Sequence, residues 1–242
     1  MASVADHYRS HLAPLYSWMS GGLDAAMARG ESELAASLPG LSKGVHAVDL
    51  GCGFGMHSIP LARRGCSVLA LDSSGYLLEE LRAHAGNLPI VVVEDDLLAF
   101  QRYLDRPADV ILCMGDTLTH LPDRETVSRL FALAAAALRP GGTFIATFRD
   151  YTQALVGNSR FIPVKSDSDR ILTCFLEYAG DHVDVHDMLH GRNGDAWQLT
   201  VSTYRKLRLD PQWISASLHA RGFSVRAEPG PAGMLRVIAA RT

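Results

Sequence analysis

Val-His-Ala-Val-Asp-Leu-Gly-Cys-Gly-Phe-Gly, residues 45–55, runs from an apolar segment straight into three alternating glycines. An apolar run that ends so abruptly in glycine reads as a buried parallel strand entering a tight turn of the main chain. Residues 56–64 then read as a helix. Glycines at such a corner let a ligand approach the backbone, and the helix N-terminus behind them presents N–H groups without intrahelical partners. This is the geometry of a nucleotide site.

The spacing bears on which nucleotide. A dinucleotide site asks for Gly-x-Gly-x-x-Gly, whose third small residue lets helix and strand pack closely while the helix end faces a pyrophosphate. Here the glycines are Gly51, Gly53 and Gly55, and Met56 stands where that small residue belongs. Asp49, inside the strand end, would repel a pyrophosphate. The pattern suits a ligand that is adenosine-like, carries no phosphate and can be cationic. A plain glycine-rich turn is the alternative.

The segment Val48-Asp49-Leu50-Gly51-Cys52-Gly53-Phe54-Gly55 resembles the first motif of the class I S-adenosylmethionine-dependent methyltransferases. The resemblance implies S-adenosyl-L-methionine as cofactor, with Asp49, Gly51, Cys52 and Gly53 at its binding corner. It also implies a Rossmann-like, doubly wound α/β sheet.

The bulk properties agree. A chain of 242 residues is long enough for one large α/β domain with an inserted subdomain. No apolar run reaches membrane-spanning length, and the first residues, with Asp6, His7 and Arg9, lack the apolar core of a signal peptide, so a cytoplasmic location is expected. Cys52, Cys66, Cys113 and Cys174 form no Cys-x-x-Cys pair and read as reduced packing residues, without a disulfide or a zinc site. Residues 1–150 carry 12 Lys+Arg against 17 Asp+Glu, and residues 151–242 carry 11 against 9. No phosphate-tracking basic stripe results, which disfavours a nucleic-acid partner.

Residues 3–20 place Tyr8, Leu12, Leu15 and Met19 at helical spacing, with Pro14 expected to divide the segment, and residues 23–38 read as a second helix. In the family resembled, such an N-terminal segment folds over the cofactor. Residues 1–40 are therefore expected to form a helical lid, with Tyr8, Tyr16 and Trp18 as its aromatic contacts and Tyr16 touching the cofactor. After the glycine corner, strands and helices alternate over short connections. The second strand, residues 67–71, ends at Asp72, placed to accept hydrogen bonds from ribose hydroxyls beside Ser73; capping of the next helix is the other role open to Asp72. The third strand, residues 90–93, runs into Glu94-Asp95-Asp96-Leu97. The resemblance gives adenine recognition to Asp96 and the Leu97 N–H, with Asp95 as alternative.

The fourth strand, residues 108–114, enters Gly115-Asp116-Thr117-Leu118-Thr119-His120. Ligands of open α/β sheets bind at the carboxyl ends of strands, so this loop faces the methyl group's destination. Cys113, Met114 and Gly115 are expected along the methionine part of the cofactor. Asp116, His120 and, beyond the next strand, Tyr151 are the catalytic candidates. Residues 123–138 form a helix closed by Arg139-Pro140-Gly141-Gly142, and residues 143–148 a fifth strand; Leu-Arg-Pro-Gly-Gly before a strand is again typical of the family.

Past Phe148 the period changes to two. Three alternating runs between residues 169 and 207 predict an antiparallel meander inserted after the fifth strand, a cap spanning residues 151–206. Its layout is similar to the cap of the glycine N-methyltransferase group. Arg149, Asp150, Tyr151, Arg170, Tyr204 and Arg205 are its candidate pocket polar groups. His182, Asp184 and His186 share a strand face, but histidines four residues apart on a strand lie about 13 Å apart, too far for one metal ion. The remaining segment, residues 207–242, returns to the main domain formed by residues 41–150 with a helix and two closing strands. The expected function is in-line methyl transfer to a small-molecule acceptor, with no nucleic-acid or membrane partner and a homodimer left open. The competing readings are a dinucleotide-dependent oxidoreductase and a non-catalytic adenosylmethionine-binding module.

Overall fold

The structure is a computed structural model and describes His7 and residues 11–242. Strand β1 (His46–Leu50) is buried along its whole length, as expected of an apolar run with helices on both sides. It pairs in parallel with β2 (Ser67–Asp72) on one side and β4 (Ala108–Cys113) on the other. With β3 (Ile90–Glu94), β5 (Leu138–Phe148), β10 (Phe223–Pro229) and β11 (Leu235–Arg241) they make a seven-stranded sheet of order β10-β11-β5-β4-β1-β2-β3. Only β10 and β11 run antiparallel to their neighbours. Chain order reverses between β1 and β4, so a crevice opens beyond their carboxyl ends.

Each face of the sheet is covered. Helices α5 (Arg124–Ala137) and α6 (Pro211–His219) bury Leu130, Phe131, Ile214 and Leu218 against Val48, Ile111, Phe144 and Phe148. Helices α2 (Leu23–Ser37), α3 (Ser58–Arg63) and α4 (Gly75–Ala85) bury Leu34, Ile59, Leu61 and Leu81 against Ala47, Val68, Leu112 and Ile145. Each such aliphatic or aromatic side chain contributes about 1.5–3 kcal/mol when fully buried. Helix α5 starts at Asp123, whose carboxylate accepts from Thr126 N at 2.7 Å.

Between β5 and α6 the chain builds a separate four-stranded antiparallel sheet of order β6-β7-β8-β9, formed by Phe161–Ser166, Arg170–Ala179, His182–Asn193 and Ala196–Leu207. Three strands were expected here, and β6 is the addition. It holds Pro163, which has no N–H, and a register shift between Pro163 and Lys165; only an edge strand tolerates both. Strand β5 also begins at Leu138, ahead of the expected residue 143.

Pro14 stands where the helical type changes, just after the π-helical residues 11–12. It lies in the first turn of α1 (Ala13–Met19), where its missing N–H costs no hydrogen bond. Tyr8, one of the expected lid aromatics, lies outside the described residues. Among the described residues no helix is long and apolar enough to cross a membrane.

Candidate active site

The glycine corner is held by two short hydrogen-bond systems. Leu71 C=O accepts from Gly51 N (2.8 Å) and Cys52 N (3.0 Å), folding the loop back over β2. Asp72 Oδ2 accepts from Gly53 N and Oδ1 from Ser74 N, at 2.8 and 2.9 Å. One carboxylate thus ties the glycine loop to the start of α4. Gly51 has φ +71° and faces Thr117, whose side chain a β-carbon would meet at 2.6 Å, while a β-carbon on Gly115 would meet nothing within 4 Å. A tight floor and open space above it therefore adjoin at the ends of β1 and β4. Asp49 is 1% exposed and accepts from Ser58 Oγ at 2.6 Å. Burial pushes the carboxyls of Asp49 and Asp72 above the usual carboxylate range, and a cationic ligand at this corner would favour their charged forms. Ser73 is exposed beside Asp72.

Beyond β3, Asp96 is exposed and caps the 3-10 turn Leu97–Tyr103 by accepting from Leu98 N at 2.8 Å. Asp95 N donates to Asp72 C=O at 3.3 Å, which sets the two strand ends side by side. Tyr103 OH donates to Asp95 Oδ2 at 2.7 Å and holds that carboxyl below its ordinary range.

At the end of β4, Cys113 and Met114 are buried and Gly115 N donates to Thr147 Oγ1 at 2.8 Å. Asp116 follows in the left-handed region, at φ +76°. Its carboxylate takes three donors: Arg149 N at 2.8 Å, Tyr151 OH at 3.2 Å and Lys206 Nζ at 2.6 Å. These three donors fix the Asp116 carboxylate between the β4 loop, the chain after β5 and β9. Burial works against the Lys206 ammonium, but Asp116 and Tyr151 beside it more than reverse this and hold its pKa above the ordinary lysine value. Burial pushes the Tyr151 phenol well above its own. Tyr151 therefore stays a donor to Asp116 rather than a base.

His120 ends the 3-10 turn Thr117–His120, its ring stacked on Tyr204 with centroids 5.6 Å apart. Burial, then Lys206 and His7, hold its pKa well below the usual histidine value. The imidazole is neutral near pH 7. Tyr16 meets Phe54 of the glycine corner edge-on at 5.9 Å, and burial raises its phenol pKa. Trp18 Nε1 donates to Asp167 Oδ2 at 2.5 Å, and the Arg170 guanidinium lies 4.4 Å from the centre of its ring. Helix α1 is thereby tied through Tyr16 to the glycine corner and through Trp18 to the start of β7 in the inserted sheet.

The inner face of that sheet supplies residues that sequence reasoning did not single out. Lys206 is one; Cys174, Asp187 and Ser202 are others, set directly across from one another on β7, β8 and β9. Their alternation was visible, but which neighbours they would face depends on the register. Of the expected pocket groups, Tyr151 and Tyr204 lie at this junction. Arg205 pairs with Asp184 at 3.0 Å, and Asp150 accepts from Thr152 N at 2.8 Å. His182 contacts Asp181, and His186 lies between Glu177 and Thr203. Among the described residues no group of His, Cys, Asp or Glu is arranged to hold a metal ion.

The buried histidines set a pH dependence. His11, His46 and His120 all have pKa values lowered chiefly by burial, so below about pH 6.5 the unfolded chain binds more protons than the folded one. Stability is full above that pH and falls as pH drops toward the lowered folded values; the raised carboxyls of Asp49 and Asp72 offset part of the loss. Chemical denaturation across this window is expected to show declining stability, with a shallower decline in His120→Gln. Equal slopes for the two proteins would contradict the assignment to His120.

A parallel sheet with a glycine corner at its switch point, an acid closing the next strand and an antiparallel insertion over the crevice define a class I methyltransferase fold. Residues 47–142, the part of the chain that carries the glycine corner and strands β1–β4, match the methyltransferase domain family. The chain is 34% identical over 125 residues to the ubiquinone biosynthesis O-methyltransferase of Methylobacterium sp. (strain 4-46), covering 47% of each chain. It is 32% identical over 142 residues to the glycine N-methyltransferase of Rattus norvegicus, covering 51% of this chain and 48% of that one. The chain thus spans about half the length of the curated relatives it matches. A solved S-adenosylmethionine-dependent methyltransferase from Clostridium acetobutylicum superposes with a TM-score of 0.73 at 16% identity, covering 94% of this chain and 96% of that one; at that identity the likeness is one of fold.

Proposed function

We propose that the chain binds S-adenosyl-L-methionine at the glycine corner and directs in-line methyl transfer to a small-molecule acceptor held beneath the inserted sheet. The observation that carries this reading is the corner itself. Gly51 and Gly53 bring bare main chain to the switch point, the buried Asp49 suits a cationic ligand, and Asp72 is fixed beside the loop by Gly53 N and Ser74 N.

When bound, the cofactor supplies an electrophilic methyl group on a sulfonium. Asp72 and Ser73 would hold its ribose, Asp96 and the Leu97 N–H its adenine, and Asp49, Gly51, Cys52, Gly53, Cys113, Met114 and Gly115 its methionine end, with Tyr16 closing from above. Holding the nucleophile in line and excluding water accounts for much of the acceleration in such a displacement. His120, neutral and stacked on Tyr204, is the group beside β4 able to accept a proton or a hydrogen bond from the acceptor. Tyr151 acts through Asp116, keeping the β4 loop and the sheet in register. The same relatives, one acting on oxygen and one on nitrogen by name, leave the acceptor atom open.

Calorimetry and thermal shift with S-adenosylmethionine, S-adenosylhomocysteine, NAD and FAD test the reading. The two adenosyl ligands alone are expected to raise the melting temperature, and a ligand at about a thousand times its Kd adds roughly 4 kcal/mol. Asp72→Ala should weaken their binding by about 1–3 kcal/mol, through lost charge-assisted hydrogen bonds and a loosened Gly53. Stabilisation by a dinucleotide only, or unchanged affinity in Asp72→Ala, would count against it.

A further inference from the structure

Cys174, Asp187 and Ser202 form one cross-strand row on the inner face of the inserted sheet, and Tyr204 and Lys206 continue that face along β9 toward the main domain. His7 comes down on the row. Its Nδ1 is 2.6 Å from Ser202 Oγ, its Nε2 is 3.1 Å from Asp187 Oδ2, and its ring stacks on Tyr204 with centroids 4.0 Å apart. Asp187 is 1% exposed, and its other oxygen accepts from the Cys174 thiol at 2.8 Å. Burial pushes that thiol's pKa up, so it remains a protonated donor that fixes the carboxylate. Hydroxyl, imidazole and buried carboxylate thus stand in sequence, and no step described so far uses them.

We infer that Ser202, His7 and Asp187 are a proton relay for an acceptor whose nucleophile is a hydroxyl group. The inference rests on the methyl-transfer reading and adds the chemical class of the acceptor. A carboxylate as buried as Asp187 needs a positive partner, and the Lys206 cation of the same face is committed to Asp116 at 2.6 Å. An imidazole between that carboxylate and a hydroxyl gains the partner by taking up a proton. This is how such a series makes a base. His11, with ring centroids 5.5 Å from His7, and the Lys206 ammonium near Tyr204 oppose the charge; Asp187 favours it, while the neighbouring His120 and Cys174 are neutral.

The atoms balance without a redox step. The acceptor hydroxyl gives its proton to Ser202 Oγ as the Ser202 proton passes to His7 Nδ1. The electron pair left on the acceptor oxygen forms the C–O bond, and the pair of the breaking C–S bond returns to sulfur. Ser202 lies in mid-strand, without the strand-to-helix turn that gives a hydrolase nucleophile its oxyanion donors. Proton transfer, not acyl transfer, is the chemistry it fits.

The test uses 2-aminophenol, which offers a hydroxyl that must lose its proton and an amine already neutral near pH 7. With S-adenosylmethionine, the wild-type chain is expected to methylate the oxygen. His7→Gln and Ser202→Ala should each lower O-methylation about 100-fold or more while N-methylation and S-adenosylhomocysteine affinity hold, and Ser202→Thr should restore the oxygen product. The product ratio does not depend on how much of a variant folds. An unchanged ratio in His7→Gln and Ser202→Ala, or predominant N-methylation by the wild type, overturns the relay and leaves the methyl-transfer reading standing. Failure of the wild type to bind S-adenosylhomocysteine overturns both.

Discussion

Lys206→Met is expected to lower the unfolding free energy by about 3–5 kcal/mol, the usual cost of stripping a buried charge of its partner. Lys206 and Asp116 side chains are 10% and 5% exposed, with Nζ and Oδ2 2.6 Å apart. Without the ammonium, the Asp116 carboxylate keeps, among the described residues, the backbone N–H of Arg149 and the Tyr151 OH as donors. The loss is concentrated because Asp116 sits at φ +76° on the first turn after β4 while Lys206 ends the inserted sheet, so one pair joins the two sheets across 90 residues. For a chain of this size the melting temperature should fall by roughly 10 °C. The double variant Asp116→Asn, Lys206→Met removes both charges, and asparagine tolerates the left-handed backbone. It should recover a large part of the loss. A double variant as unstable as the sum of its parts would show that the pair does not couple the sheets.

The seven-stranded core was legible because its signals are local. The apolar run at Val48 and Leu50, the alternating glycines and Asp72 lie within one strand-turn-helix-strand unit, and each states its own conformation. What joins the sheets was not. Lys206 and Asp116 are far apart in sequence, and a lysine in an alternating strand reads as solvent-facing until the register turns it inward. The same holds for Asp187 and Ser202, which face each other only once β8 and β9 are paired. Strand β6 was hidden by Pro163, whose local meaning is a break although an edge strand accommodates it. Asp116 read as reactive because it stood beside the methyl group's destination; the donors that occupy it lie on β9 and on the chain after β5.

Gly30→Ala should show how tightly the N-terminal helices determine the glycine corner. Alanine in mid-helix ordinarily gains about 1 kcal/mol over glycine. At Gly30, however, a β-carbon would run into the carbonyl oxygen of Met56, with the carbonyl carbon at 2.9 Å. Met56 cannot swing away cheaply. Gly55 before it holds φ +93° and accepts from Ile59 N at 3.0 Å, and His57 after it is bound to the buried Glu33 at 2.9 Å. Helix α2 must instead lift off the corner, loosening the Glu33–His57 contact and the packing of Met27 and Leu34. The net result expected is a loss of about 1–3 kcal/mol, as for an overpacked core, with weaker S-adenosylhomocysteine binding because the displaced loop carries Gly53. Gly44→Ala supplies the comparison: its φ is +80° with nothing within 4 Å of the added carbon. That change should cost only the backbone strain of about 1–2 kcal/mol and leave affinity alone. A Gly30→Ala chain as stable as the wild type, binding the ligand equally well, would mean that α2 packs against the corner without shaping it.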